Sequence, residues 1–360
     1  MSSMKRTLLL IAALCSLSLS AVAQRWVDAR DLAIHGHTQK CEQHPYHRID
    51  HAATNLNKKL ATMAEEAAGL YVTFKTNSSF VAASWSIVPH RTRDNMSMIM
   101  QRGLDLYIKQ DGEWRYTQSS RITPDPAVTE YNRLLVKRLP KEEKEFMLYL
   151  PGWSEVKSLQ IGIDEGATIE GTPSPFHHKV IVYGSSITHG ACASRAGMTY
   201  TAIMSRNLGI DFINFGFAGQ CMMQPEFLEI LQKCEADAFI FDTFSNPSAK
   251  VIEARLANFV EGMTKAHPGK PLIFMQSAIP LETCVDPGRR AKRALRFDTA
   301  ARLIKELQKQ YKDIYFLDVK DVIGKDGSAD NTHPTDLGFH RFVTAYQPKI
   351  AKILKKYNIK

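Results

Sequence analysis

Lys179-Val180-Ile181-Val182-Tyr183-Gly184-Ser185-Ser186-Ile187-Thr188 is an apolar run that breaks at a glycine and continues through two serines. A continuous apolar run bounded by a turn signal is the mark of a strand buried on both faces, as in a parallel sheet, and not of a half-exposed one. The chain repeats this figure downstream. Residues 212–214, 238–242, 271–276 and 314–318 are further short β-prone runs, separated by helical stretches such as 249–266, where Ile252, Leu256, Phe259 and Met263 recur on one face. Such alternation predicts an α/β unit with five parallel strands covered by helices on both sides. Any active site then lies at the carboxyl ends of the strands, where Ser186 would stand.

Upstream the pattern is different. Short β-prone runs at 71–74, 80–88, 104–109, 146–150 and 159–163 are separated by turns. Asp111-Gly112 sits between two alternating stretches, a hairpin signal, because both central residues must tolerate positive φ. A β-sandwich of jelly-roll character is the natural packing for these strands. Gly171-Thr172-Pro173-Ser174-Pro175 reads as a linker, so the expected units are a β domain over 24–171 and an α/β domain over 176–360.

The first 23 residues read as a secretory signal, with Lys5 and Arg6 as the basic region, 8–19 as the apolar core and Ala21-Val22-Ala23 as the cleavage site. The apolar run is shorter than the roughly 18 to 20 residues a spanning helix needs, which favours export to the periplasm or the medium. Lipid anchoring at Cys15 is disfavoured because Leu14 stands where a small residue is wanted. Cleavage would leave Cys41, Cys192, Cys221, Cys234 and Cys284, an odd number, so at least one thiol stays unpaired within the chain. Their wide spacing, without Cys-x-x-Cys, argues against structural zinc. Loss of Lys5 and Arg6 lowers the formal charge from +9 to +7, a modest excess compatible with an anionic polysaccharide or envelope surface. There is no phosphate-cradling glycine loop, and no nucleic-acid partner is expected.

Three islands carry the chemistry. Ser186 follows a strand; Asp330 and His333 lie three residues apart before Pro334-Thr335-Asp336-Leu337-Gly338; and Asn214-Phe215-Gly216-Phe217-Ala218-Gly219 closes the second strand. A hydroxyl becomes a nucleophile when an imidazole takes its proton, and the imidazole needs a carboxylate to hold one tautomer. The N–H groups of Ser186 and Gly219 and the amide of Asn246 could converge on an oxyanion. His189 and Arg195, just after the serine, are candidates for a pocket wall. The basic run Arg289, Arg290, Lys292 and Arg293 reads as a solvated helix start. The loop histidines His35, His37, His44, His47, His51, His177 and His178 have no accompanying carboxylate pattern and read as solvated or packing residues.

With these residues in order, the chain resembles the SGNH (GDSL-type) esterase and acylhydrolase superfamily from about residue 45 onward. It is most similar to a bacterial branch with an N-terminal β domain bearing Gly-x-Asp-Leu-Tyr, here Gly103-Leu104-Asp105-Leu106-Tyr107. The resemblance implies a flavodoxin-like catalytic domain, Ser186, Asp330 and His333 as catalytic residues, Ser186, Gly219 and Asn246 as oxyanion donors, and no metal or cofactor. The usual Asp before the nucleophile is Ser185, and Ser245-Asn246-Pro247 replaces the common Gly-Asn-Asp. The expected activity is exported hydrolysis of carboxylic esters, O-acetyl groups on carbohydrate foremost. Transfer of the acyl group to a sugar or small-molecule hydroxyl is one alternative, and an inactive carbohydrate-binding protein is another. Trp85, Trp114 and Tyr116 are the β-domain aromatics that could meet a glycan.

Overall fold

A computed structural model describes residues 24–39, 41–50 and 54–360; the expected signal segment, Cys15 and His51 lie outside the described residues. The first strands are β1 (Gln24–Asp28), β2 (Ala33–His35), β3 (Tyr71–Thr76), β4 (Phe80–Ile87) and β5 (Asp105–Gln110). β6 (Glu113–Ser119), β7 (Glu130–Lys137), β8 (Lys144–Tyr149), β9 (Val156–Asp164) and β10 (Ile169–Gly171) follow. They build two antiparallel sheets, ordered β1-β9-β4-β7 and β10-β3-β8-β5-β6, with β2 on the edge of β3. Alternate residues of β4 (Val81, Ala83, Trp85, Ile87) meet Phe74, Leu106, Phe146 and Leu148 of the facing sheet in one core, which is the expected sandwich. The β5–β6 hairpin turns at Asp111 and Gly112, with φ of 53° and 81°. Trp85 belongs to the core: its ring stacks on Tyr131 at 4.9 Å and its Nε1 donates to the Arg102 carbonyl at 2.9 Å.

The remaining strands, β11 (Lys179–Gly184), β12 (Asp211–Gly216), β13 (Ala238–Asp242), β14 (Leu272–Met275) and β15 (Ile314–Leu317), form a parallel sheet ordered β12-β11-β13-β14-β15. That order is the doubly wound, flavodoxin-like one. The helices are α1 (Lys58–Glu65), α2 (Met98–Arg102), α3 (Ser186–His189), α4 (Tyr200–Leu208), α5 (Pro225–Lys233), α6 (Ala249–Ala266), α7 (Pro287–Leu307) and α8 (Asp336–Lys355). Ile252, Leu256, Phe259 and Met263 of α6 pack with Phe239, Phe241 and Phe274 on one face of the sheet. Tyr200 and Met204 of α4 and Phe339, Phe342 and Tyr346 of α8 cover the other.

The two units are bound through buried polar groups. Asp105 of the Gly-x-Asp-Leu-Tyr run accepts from Arg195 Nη1 at 2.7 Å and from the Gly197 N–H at 2.8 Å, and Arg195 also donates to the Tyr107 hydroxyl at 2.6 Å. Burial pushes the Asp105 carboxyl up in spite of the neighbouring Arg195 charge. Arg48, 1% exposed, donates to the carbonyls of Glu66, Gly216 and Met63. Ile49, Leu60, Met63 and Ala64 pack beside Phe215 and Phe217, so α1 covers the parallel sheet although it precedes most of the sandwich. No described helix is long and apolar enough to cross a membrane.

Candidate active site

Two glycines bring the Ser186 segment onto the sheet edge. Gly184 ends β11 and pairs with Gly216 of β12 on one side and Asp242 of β13 on the other. A Cβ at Gly184 would lie 1.8 Å from Thr188 Oγ1, and one at Gly216 would lie 2.2 Å from the His189 backbone nitrogen. Only bare backbone therefore lets α3 settle against the strand ends. Ser185, in place of the more usual Asp, is buried and caps α3 by accepting from the Ile187 N–H at 3.2 Å. Asn214 Nδ2 donates to the Thr188 carbonyl at 2.6 Å and Thr188 Oγ1 to Asp242 Oδ2 at 2.9 Å. Burial pushes the Asp242 carboxyl up to about 7, against hydrogen bonds from Thr188 and Tyr200. Ser186, first residue of α3, keeps a backbone N–H that no intrahelical carbonyl can take.

The loop between β15 and α8 brings the other two groups to Ser186. His333 Nε2 lies 2.9 Å from Ser186 Oγ, and His333 Nδ1 lies 2.7 Å from Asp330 Oδ2. Asp330 Oδ1 accepts from the backbone N–H groups of Thr332 at 3.1 Å and His333 at 2.8 Å. Burial pushes the Asp330 carboxyl up, but hydrogen bonds from the His333 ring and backbone and from Asn95 outweigh it and hold the group below its ordinary value. Arg293 is not solvated, contrary to the reading of its basic run. It is 6% exposed and grips Asn331, between the acid and the imidazole, through Nη1 to Oδ1 at 3.0 Å and Nη2 to the carbonyl at 3.1 Å. Asn331 has φ of 59°, in the left-handed region that asparagine tolerates better than most residues.

The two remaining oxyanion candidates lie on neighbouring loops. Gly219 follows β12 with φ of 68°, a conformation that favours glycine, in the turn closed by Gln220 N–H to the Phe217 carbonyl at 3.0 Å. Asn246 follows β13; its Oδ1 accepts from the Cys221 N–H at 3.1 Å, which leaves its NH₂ as the available donor. The Ser245 side of this loop is fixed by Ser277 Oγ at 2.9 Å and by Arg296 on the Ser245 carbonyl at 2.7 Å.

His189 and Arg195 do not line the site. His189 is fully buried, stacked on Trp153 at 3.8 Å, with Nε2 at 2.9 Å from the Gly152 carbonyl and 3.1 Å from Glu66; burial and the Arg48 charge hold its imidazole below the ordinary value. Arg195 is taken up by Asp105, Tyr107 and the Tyr116 ring, 3.9 Å below its guanidinium, while Tyr116 itself stays 48% exposed. Trp114 lies beside Lys109 at 5.6 Å. A residue with no sequence signal does reach the site: Asn95, in the loop before α2, donates to Asp330 Oδ2 at 3.0 Å. The Asn95 carbonyl in turn accepts from the Cys192 thiol at 3.0 Å. Cys192, Asp330 and His333 present ligand atoms within 4.8 Å of one another, so a soft divalent ion held there would compete with the imidazole–carboxylate hydrogen bond. His35 and His47 instead meet Thr73 at 2.9 Å and Glu155 at 3.0 Å. All five cysteines among the described residues are free thiols.

The family model of GDSL-like lipases and acylhydrolases matches residues 177–351, and that of the N-terminus of SGNH-hydrolase-type esterases, GxDLY, matches 24–169. A Bacteroides ovatus protein described as a GDSL-like lipase is 37% identical, with a TM-score of 0.88 over 92% of this chain and 98% of that one. A salicylyl-acyltransferase from a tetracycline biosynthetic pathway is 22% identical, with a TM-score of 0.70 over 92% of this chain and 98% of its own. A family two carbohydrate esterase from Cellvibrio japonicus is 13% identical, with a TM-score of 0.59 over the same shares, 92% and 98%. At such identities these last two share the fold. No curated protein matches. Two family models in tandem and a closely superposable relative over nearly the whole length make the chain a member of the GDSL-like lipase/acylhydrolase family, in its GxDLY-bearing branch.

Proposed function

We propose that the chain is an exported serine esterase that removes O-acetyl groups from carbohydrate through an acyl-enzyme. The observation carrying this reading is the unbroken chain of hydrogen bonds from Ser186 Oγ through His333 to Asp330, at the carboxyl edge of the parallel sheet. His333 takes the hydroxyl proton at Nε2 as Ser186 Oγ attacks the ester carbonyl, and Asp330 keeps Nδ1 protonated and stabilises the imidazolium. The oxyanion is received by the N–H groups of Ser186 and Gly219 and the Asn246 amide; each such donor is worth on the order of 10²- to 10³-fold in rate. Collapse breaks the bond to the sugar oxygen, which takes the proton from His333 and leaves as the free hydroxyl. Water then attacks the acyl-enzyme with His333 again as base, releasing acetate and free Ser186.

Export is supported by the basic, apolar and small-residue order of residues 4–23. Carbohydrate is supported by the carbohydrate esterase that shares the fold over 92% of this chain. The test is a hydrolysis panel of acetylated oligosaccharides and longer-chain acyl esters, run on the parent and on Ser186→Ala, with a sugar acceptor added in parallel. The expected outcome is acetate release, weaker cleavage of long acyl chains, and a loss of at least about 10⁴-fold in Ser186→Ala without unfolding. Preference for long chains would overturn the acetyl assignment, and acyl transfer to the added sugar in place of hydrolysis would favour the acyltransferase alternative.

A further inference from the structure

The loop joining β4 to α2 holds a group that the esterase chemistry does not use. Arg91, Thr92, Arg93, Asp94 and Asn95 line a cavity of about 480 Å³, and Asn95 at its edge is the residue that donates to Asp330. Arg93 is held at both ends. The fully buried Gln101 clamps its backbone, accepting from the Arg93 N–H at 2.8 Å and donating to the Arg93 carbonyl at 3.0 Å. Its guanidinium lies over the Trp153 ring, 4.5 Å from the centroid, and Trp153 is itself buried and stacked on His189. Stacking occupies the face of a guanidinium and leaves its in-plane N–H fork open, the geometry that takes a carboxylate through two parallel hydrogen bonds. Among the described residues neither Arg93 nor Arg91 has a carboxylate within ion-pair distance; Asp94, the one acid lining the cavity, pairs with neither. Fixing a side chain before its ligand arrives removes an entropic cost of binding. Among the described residues, the Arg93 guanidinium donates no hydrogen bond to the protein.

We propose that this cavity is a carboxylate subsite, and that the preferred substrates are O-acylated acidic sugars, of the uronate type, whose carboxylate rests on Arg93 while the ester reaches Ser186. The inference rests on the esterase reading above. Arg91 adds a second positive charge to the same wall, and the chain's net positive charge, +9 in full and +7 without Lys5 and Arg6, draws anionic glycans toward it.

The test measures kcat/KM for acetate release from O-acetylated oligogalacturonides and from the same oligosaccharides with their carboxylates methyl-esterified. The subsite predicts at least about a tenfold preference for the free acid, since one charge-assisted pair is worth about that factor. The preference falls to near one in Arg93→Ala, is kept in part by Arg93→Lys, and is reduced in Arg91→Ala. Because the readout is a ratio, a general loss of rate in a variant does not imitate it. Equal kcat/KM on the two substrates in the parent, or an undiminished preference in Arg93→Ala, overturns the proposal. Failure to release acetate from either sugar while p-nitrophenyl acetate is cleaved also overturns it, whereas failure on p-nitrophenyl acetate as well overturns the esterase reading beneath it.

Discussion

Asn95 reaches across 235 positions of sequence to donate a hydrogen bond to Asp330, on the same oxygen that receives the His333 ring. A hydrogen bond to a charged group is worth roughly 1.5–3 kcal/mol, and Asp330 is partly exposed, so the lower end applies. Asn95→Ala is expected to lower kcat about tenfold with KM little changed, the rate equivalent of ~1.4 kcal/mol. Asn95→Asp should lower it further, because a like charge then faces the carboxylate. An Asn95→Asp variant as active as the parent would show that the contact is idle. Ser186, Asp330 and His333 were legible in the sequence because each belongs to a short local motif whose chemistry is known and whose members sit at fixed ends of elements. Asn95 and Arg293 were not, since each acts only through long-range hydrogen bonds, one from Asn95 to Asp330 and two from Arg293 to Asn331, and residues of these types on loops and helix starts are common for other reasons.

Helix α3, which opens on Ser186, has four residues and could not persist alone; it exists because Gly184 and Gly216 leave room for it and Ser185 and Asn214 hold its ends. Gly216→Ala sets a methyl group against backbone, at 2.2 Å from the His189 nitrogen, where no side-chain rotation relieves the clash. The expected result is about 1–3 kcal/mol of lost stability from overpacking and a fall in esterase rate of about 10²-fold, because α3 must shift and Ser186 moves with it. Thermal unfolding together with ester hydrolysis checks both, and a variant with unchanged rate would refute this account of α3. At this scale the parallel strands, the long helix α6 and the β5–β6 hairpin could be read from periodicity and turn chemistry. The three-residue strands β2 and β10 are too short to show a period. The eight-residue helix α1 gives only Leu60, Met63 and Ala64 as a buried face, and its packing partners Phe215 and Phe217 lie more than 150 residues away.

The molecule as a whole places its signature motif at the seam between its two units: Asp105 and Tyr107 grip Arg195, nine residues beyond Ser186, so the sandwich and the parallel sheet support one candidate site. The sequence displayed the motif but not its partner, because a pairing across 90 positions leaves no local pattern. Two buried carboxyls give the whole fold a pH signature. Burial pushes both Asp211 and Asp242 up to about 7. Between the ordinary carboxylate value of about 4 and pH 7 the folded state therefore holds protons that the unfolded chain has lost, so their contribution makes stability fall as pH rises through that window and then level off. Asp242→Asn removes one such group, and its urea midpoint should decline less than that of the parent from pH 4 to pH 7; an equal decline would contradict the assignment. The central claim, that Ser186 is the nucleophile of a working esterase, is tested most directly by reaction with a fluorophosphonate followed by mass mapping. One phosphonate per chain on the peptide carrying Ser186, absent from Ser186→Ala, is the predicted result, and labelling that persists in Ser186→Ala or falls on another residue would contradict it.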